Sequence, residues 1–145
     1  IRVNRRQRQA MVAKIVEALG GDVAGRTLAV LGLSFKPETD DVRESPAIDI
    51  VRELQERGAH VRAYDPQAMG PAARELPDMT LCKDVYGACD GADALVLATE
   101  WNQFRMLDFD RVKRAMNQPV MVDLRNIYDP EPMAASGFRY FGVGR

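Results

Sequence analysis

The spacing of apolar positions changes along this chain, and each change predicts an element. Val12, Ile15, Val16 and Leu19 recur at i, i+3, i+4 and i+7, one face of a helix, and Gly20-Gly21 ends it. Thr27 to Leu33 is an apolar run of strand length, the mark of a strand buried on both faces. A polar loop runs from Ser34 to Glu44. Ser45-Pro46 then starts a helix, because Ser suits an N-cap and the N–H that Pro lacks is one the first turn does not use. Ala47, Ile50, Val51 and Leu54 share that helix's inner face, and Gly58 stops it. His60 to Tyr64 is a second strand, closed by Asp65-Pro66.

The alternation continues more loosely. Short helices are predicted over 70–75 and 85–89, with a short strand at 80–82 between them. Then follow a buried strand over 94–98, a helix over 109–116, and a strand over 120–122 with Asp123 at its end. A helix over 130–135 and a strand over 140–143 complete the pattern. Strands separated by helices make right-handed crossovers and a parallel sheet. The predicted fold is α/β, a Rossmann-like doubly wound parallel sheet in a single domain, preceded by the end of a long helix. No internal repeat, low-complexity stretch or linker interrupts it.

Composition narrows the function classes. Hydrophobic residues make up 46% of the 145 and charged residues 28%, ordinary values for a folded domain. Lys and Arg number 20 against 21 acidic residues, so no overall basic field invites nucleic acid or an anionic membrane. No apolar run approaches the ~20 residues of a membrane helix. The two cysteines, Cys82 and Cys89, form no metal-type pair, and the expected compartment is the reducing cytoplasm. One histidine, His60, leaves little for a metal site. The chain opens at Ile1 already in helical pattern, which reads as a fragment of a longer protein. Arg2, Arg5, Arg6 and Arg8 are either a basic arm or the solvated face of that helix.

Open parallel sheets bind ligands beyond the C-terminal ends of their strands. Four segments are thereby selected: Ser34 to Pro37, Asp65-Pro66, Thr99 to Trp101, and Asp123 to Asn126. The first strand ends in Gly32-Leu33-Ser34-Phe35-Lys36-Pro37, so the G-x-G-x-x-G of a dinucleotide site is absent. Asp65 is either a ribose-binding acid or a turn former before Pro66. In the first loop, Lys36 offers an ammonium, Phe35 an aromatic face, and Arg43 a second cation just before a helix start. Those charges either bind an anion or pair among themselves. Arg125 either clamps a phosphate or pairs with Asp123. Trp101 either packs over the sheet end or lines a cleft. Cys82 and Cys89 read as packing residues, His60 has no partner in sequence, and no catalytic set is complete.

The segment from Val30 to Pro46, LGLSFKPETDDVRESP at its heart, resembles the signature of the C-terminal domain of the UDP-glucose/GDP-mannose dehydrogenases. Ala63-Tyr64-Asp65-Pro66, Thr99-Glu100-Trp101, and Asp123, Arg125 and Tyr128 are similar to the same family in the same order, and Val3-Asn4 to the end of its central region. Within the family, Thr99-Glu100-Trp101 followed by Phe104-Arg105 most resembles the UDP-glucose branch. The GDP-mannose and UDP-N-acetylmannosamine branches are the alternatives. The resemblance implies that residues 1–24 end a central connecting helix and 25–145 form the UDP-sugar-binding domain. It implies oxidation of the sugar C6 alcohol to a carboxylate in two NAD-dependent steps through a cysteine thiohemiacetal and thioester, a supply of sugar acid for polysaccharide synthesis. Neither Cys82 nor Cys89 matches the family's cysteine motif, so this chain holds no catalytic residue. By the resemblance, Phe35 and Lys36 contact the UDP-sugar, Arg125 reaches its nucleotide portion, and Arg43 reaches toward NAD bound mainly by an N-terminal domain of the same polypeptide. A homodimer built by the central region is also implied. A reading from a different class is a flavodoxin-like signalling domain with Asp40, Asp41 and Asp65 as a Mg²⁺ or phosphoacceptor pocket. Two features weigh against it: Leu124, not a cation, directly follows Asp123, and Pro66 directly follows Asp65. A third reading is an interaction module that displays the Arg-rich helix and binds no small molecule.

Overall fold

A computed structural model describes residues 5–34, 40, 42 and 45–144. In chain order the elements are α1 (Arg5–Ala18), β1 (Thr27–Leu31), α2 (Pro46–Glu56), β2 (His60–Tyr64), α3 (Met69–Glu75), β3 (Thr80–Leu81) and α4 (Val85–Cys89). They continue with β4 (Ala94–Leu97), α5 (Phe109–Ala115), β5 (Val120–Asp123), α6 (Pro130–Ala135) and β6 (Arg139–Gly142). Every predicted element is present. A 3₁₀ turn over Asn102–Met106, which no periodicity announced, is added between β4 and α5. The six strands form one parallel sheet in the order β3-β2-β1-β4-β5-β6, the doubly wound arrangement whose switch point lies between β1 and β4.

Both faces of the sheet are buried, and the two-residue period of the strands sorts their side chains between them. Leu28, Val30, Ala94, Val96, Val120 and Val122 face α1, α2 and α3. Ala29, Leu31, Leu95, Leu97 and Met121 face α4, α5 and α6. The crossovers after β4 and β5 both put their helices on the second face. That leaves β5 and its neighbours uncovered on the first, and α1 fills the gap. It packs on α2 and β5, burying Val12, Ile15 and Ala18, and Lys14 Nζ donates to the Gly142 carbonyl of β6 at 2.6 Å. Arg5 and Arg6 are exposed and Arg8 pairs with Asp49 at 3.5 Å, so these arginines lie on the solvated side of a helix whose other side belongs to the core. Among the described residues no helix is long and apolar enough to cross a membrane.

Ser45 stands at the N-cap of α2 with Pro46 behind it, but its side chain makes no cap bond. Ser45 Oγ instead donates to the Leu33 carbonyl at 2.9 Å, tying the far end of the first loop back to its beginning. Cys82 and Cys89 are buried and free. Burial, with smaller contributions from Cys82 and Asp84, pushes the Cys89 thiol up to about 12. The unfolded thiol titrates near 9.0, so the folded state holds this proton more tightly. The resulting stability is complete below pH 9 and is lost as pH rises toward 12. The Tyr128 hydroxyl is also pushed up, by burial first and then by Asp123, and adds to the alkaline loss. Urea unfolding of the wild type should therefore lose about 2 kcal/mol more between pH 8 and pH 10.5 than unfolding of Cys89→Ala. Equal losses in the two proteins would show that Cys89 titrates normally.

Candidate functional site

Among the described residues the buried polar or charged side chains are Ser34, Ser45, Asp65, Thr99 and Asp123. Four of them stand at or just past the C-terminal ends of β1, β2, β4 and β5, and the fifth opens the helix after β1. Polarity inside this fold is thus concentrated where a doubly wound sheet binds ligands, and each group has a partner there.

Asp65 is fully buried, and its carboxylate organises the first two strand ends. One oxygen accepts from the backbone N–H of Leu33 at 2.7 Å and of Ser34 at 3.3 Å. The other accepts from Gln67 at 2.8 Å and Ala68 at 2.7 Å. With four backbone donors on it, Asp65 is a turn former and not a ribose ligand or phosphoacceptor. The same bonds consume the N–H groups that would have to face a pyrophosphate at the first strand–helix turn. At the start of that turn, the backbone N–H groups of Leu33 and Ser34 are therefore already taken by Asp65.

At the switch point β1 and β4 come unusually close. Gly32 has φ +97°, and a Cβ there would lie 2.4 Å from Thr99 Cβ and 2.7 Å from Thr99 N. Thr99 Oγ1 donates to the Ser34 carbonyl at 3.1 Å, fastening the two ends together. Trp101 is 7% exposed and belongs to the core on the α4–α6 face, which settles its place: it packs beneath the 3₁₀ turn. Its indole N–H has no hydrogen-bond partner among the described residues.

β5 delivers Arg125. Asp123, fully buried, accepts the Arg125 backbone N–H at 3.2 Å, the Tyr128 N–H at 3.0 Å and the Tyr140 hydroxyl at 2.7 Å. Asn126 adopts φ +51° and its amide spans the backbone of Val143, accepting at 2.9 Å and donating at 3.0 Å. The turn after β5 is thereby fixed from inside and from β6. The Arg125 guanidinium does not pair with Asp123, the alternative open in the sequence. Arg125 Nη2 donates to Glu100 Oε1 at 3.0 Å, across the neighbouring strand end. Glu100 Oε2 lies 3.9 Å from Arg105 Nη2, and Arg105 Nη1 donates to the Ile127 carbonyl at 3.2 Å. Two guanidinium groups share the Glu100 carboxylate, and with the buried Asp123 carboxylate beside them the cations and anions of this corner balance.

Phe35, Lys36 and Arg43 lie outside the described residues, as does Asp41. Of that loop, Asp40 is exposed, while Val42 packs on the core and its carbonyl accepts from Ser45 N at 3.1 Å. Among the described residues no group of three or more His, Cys, Asp or Glu is placed to hold a metal ion. Two contributors were not identifiable from sequence, Tyr140 beneath Asp123 and Glu100 beside Arg125. Each is recruited from an adjacent strand, and only the register of the sheet brings it there.

The region from 29 to 130 matches the model of the UDP-glucose/GDP-mannose dehydrogenase family, UDP binding domain. The chain is 50% identical over its whole length to a UDP-glucose 6-dehydrogenase of Rhizobium meliloti, of which it spans 33%. Among solved structures, a UDP-glucose dehydrogenase from Pyrobaculum islandicum aligns with TM-score 0.80 and 37% identity, covering 97% of this chain and 30% of that one. A UDP-D-ManNAc dehydrogenase from Pyrococcus horikoshii aligns with TM-score 0.80 at 29% identity, covering 98% and 32%. The chain spans about a third of the length of the curated relatives it matches. A family model that matches residues 29–130, most of the chain, shows that the chain belongs to the UDP-glucose/GDP-mannose dehydrogenase family as its UDP binding domain.

Proposed function

We propose that this chain is the nucleotide-sugar-binding domain of an NAD-dependent UDP-glucose 6-dehydrogenase of the cytoplasm. The observation that carries the reading is Arg125. Its backbone is fixed by a buried carboxylate, and its side chain, 31% exposed, stands at the C-terminal edge of the sheet with guanidinium N–H groups beyond the one given to Glu100. An arginine held this way suits the oxygens of a nucleotide diphosphate. The greater identity to the UDP-glucose enzymes than to the UDP-D-ManNAc enzyme supports that branch.

In this reading Phe35 and Lys36 contact the UDP-sugar, and Arg125 reaches its nucleotide portion. Arg43 reaches toward NAD held mainly by an N-terminal domain of the longer polypeptide, and the whole enzyme is a homodimer. NAD, bound there, accepts the electrons of both oxidations. Asp65 takes up the N–H groups of Leu33 and Ser34 at the end of the first strand, which supports assigning the dinucleotide to another domain. Cys82 and Cys89 are buried, and the Cys89 thiol is pushed up to about 12, so the nucleophilic cysteine also belongs elsewhere. Residues 1–24 are the end of the connecting helix, docked on the 25–145 domain through Val12, Ile15 and Ala18.

The test is calorimetric titration with UDP-glucose, beside GDP-mannose, UDP-N-acetylmannosamine and NAD. UDP-glucose should give the strongest heat. Arg125→Ala and Lys36→Ala should each weaken its binding by about 1.5–3 kcal/mol, the scale of a charged hydrogen bond, or about 10- to 150-fold. An unchanged affinity in either variant removes that residue from the site. Preference for GDP-mannose or UDP-N-acetylmannosamine moves the chain to another branch.

A further inference from the structure

We infer that Glu100 is the positioning residue that presents Arg125 to the nucleotide; the inference rests on the reading of Arg125 given above. An arginine side chain has many rotamers, and an exposed one spends most of its time away from any single geometry. The Asp123 carboxylate fixes only the backbone N–H of Arg125. For the guanidinium the partner is Glu100 Oε1, at 3.0 Å.

Glu100 is well placed for this task because it cannot drift. It sits between Thr99, fully buried and fastened to Ser34, and Trp101, packed in the core. Leu97 of β4 stands in register with Asp123 of β5, so Glu100 and Arg125 leave adjacent strand ends side by side. Arg105, itself anchored on the Ile127 carbonyl, lies 3.9 Å from the second carboxylate oxygen and draws part of its charge. The contact to Arg125 uses one of the five N–H groups of the guanidinium, leaving others for an oxyanion. The arrangement orients the cation without using up its donors.

A carboxylate beside an anion site has a competing description. Glu100 would then be a counterion that the diphosphate must displace, and its removal would tighten binding. The conservative variant separates the two, since Gln keeps the acceptor oxygen and loses the charge. Titration with UDP is expected to give about three- to tenfold weaker binding for Glu100→Ala, the scale of ordering one long side chain. Glu100→Gln should bind as well as the wild type or better. In an Arg125→Ala background, Glu100→Ala should have no further effect. Tighter or unchanged binding by Glu100→Ala, or the same loss with Arg125 already removed, overturns the proposal.

A ligand-free measurement accompanies these. Nitrogen-15 NMR of the Arg125 guanidinium should show slow rotation about Nε–Cζ in the wild type and in Glu100→Gln, and fast rotation in Glu100→Ala. Fast rotation in the wild type overturns the positioning role directly. Slow rotation lost in Glu100→Ala, in a wild type that does not bind UDP, upholds the Glu100–Arg125 clamp and overturns the nucleotide reading instead.

Discussion

Replacing Asp65 with alanine is expected to cost about 3–5 kcal/mol of stability, a large share of what a domain of this size possesses. The carboxylate accepts four backbone N–H groups, from Leu33, Ser34, Gln67 and Ala68. Leu33, Ser34 and Ala68 are buried, and alanine offers their donors nothing. Each orphaned buried donor costs about 1–3 kcal/mol, with some relief if water enters the space the side chain vacates. Asn is the informative comparison, because it keeps one acceptor oxygen and turns the other position into a donor. Asp65→Asn should lose roughly half as much as Asp65→Ala. Urea unfolding monitored by far-UV circular dichroism measures both. A loss under about 1 kcal/mol for the alanine variant would mean that the strand ends do not depend on this carboxylate. Because Leu33 and Ser34 are the threshold of the loop carrying Phe35 and Lys36, the Asn variant, if folded, should also bind UDP-glucose more weakly.

Gly32→Ala is the second large effect, expected at about 3–4 kcal/mol. Two costs add. At φ +97° an L side chain meets its own backbone, for about 1–2 kcal/mol. The new methyl would also fall 2.4 Å from Thr99 Cβ, 2.6 Å from its Oγ1 and 2.7 Å from its N, and relieving such overlap costs about 1–3 kcal/mol. Thr99→Ala should not rescue the variant, since Cβ and the backbone nitrogen remain where they were. The melting temperature of Gly32→Ala, alone and with Thr99→Ala, tests both statements. Near-complete rescue would place the conflict on the Thr99 hydroxyl, and a variant of wild-type stability would show that β1 and β4 can separate at the switch point.

Both predictions concern residues whose type was legible in the sequence and whose task was not. Gly32 read as the last small residue of a buried strand; nothing in its neighbours indicated that a strand 60-odd residues later would press against it. Asp65 before Pro66 read as a turn former, which it is, but two of its four donors come from the end of another strand. Arg125 was singled out for its place at a strand end, with Asp123 as the rival partner. The structure gives Asp123 the backbone of Arg125 and gives its guanidinium to Glu100. Ser45 was placed correctly at the start of α2, yet its hydroxyl holds the first loop closed instead of capping the helix. The 3₁₀ turn at Asn102–Met106 escaped because a five-residue turn with one buried side chain, Phe104, has no period to detect.

The elements, their α/β alternation, the two-faced burial of the central strands and hence the strand ends that border the crevice are all legible along the chain. Those features arise from apolar period, turn chemistry and the handedness of crossovers, which act locally. Which polar side chains meet at the crevice depends instead on how the whole sheet packs. Asp65 with Leu33, Thr99 with Ser34, Glu100 with Arg125 and Tyr140 with Asp123 are pairs made across strands. Parallel neighbours are separated in sequence by a whole crossover, so their register is set by packing of the entire sheet. The location of α1 was decided the same way. Its apolar spacing predicts an inner face of Val12, Ile15, Val16 and Leu19, but that this face, with Ala18 added, covers the side left open over β5 follows from every other helix having gone elsewhere.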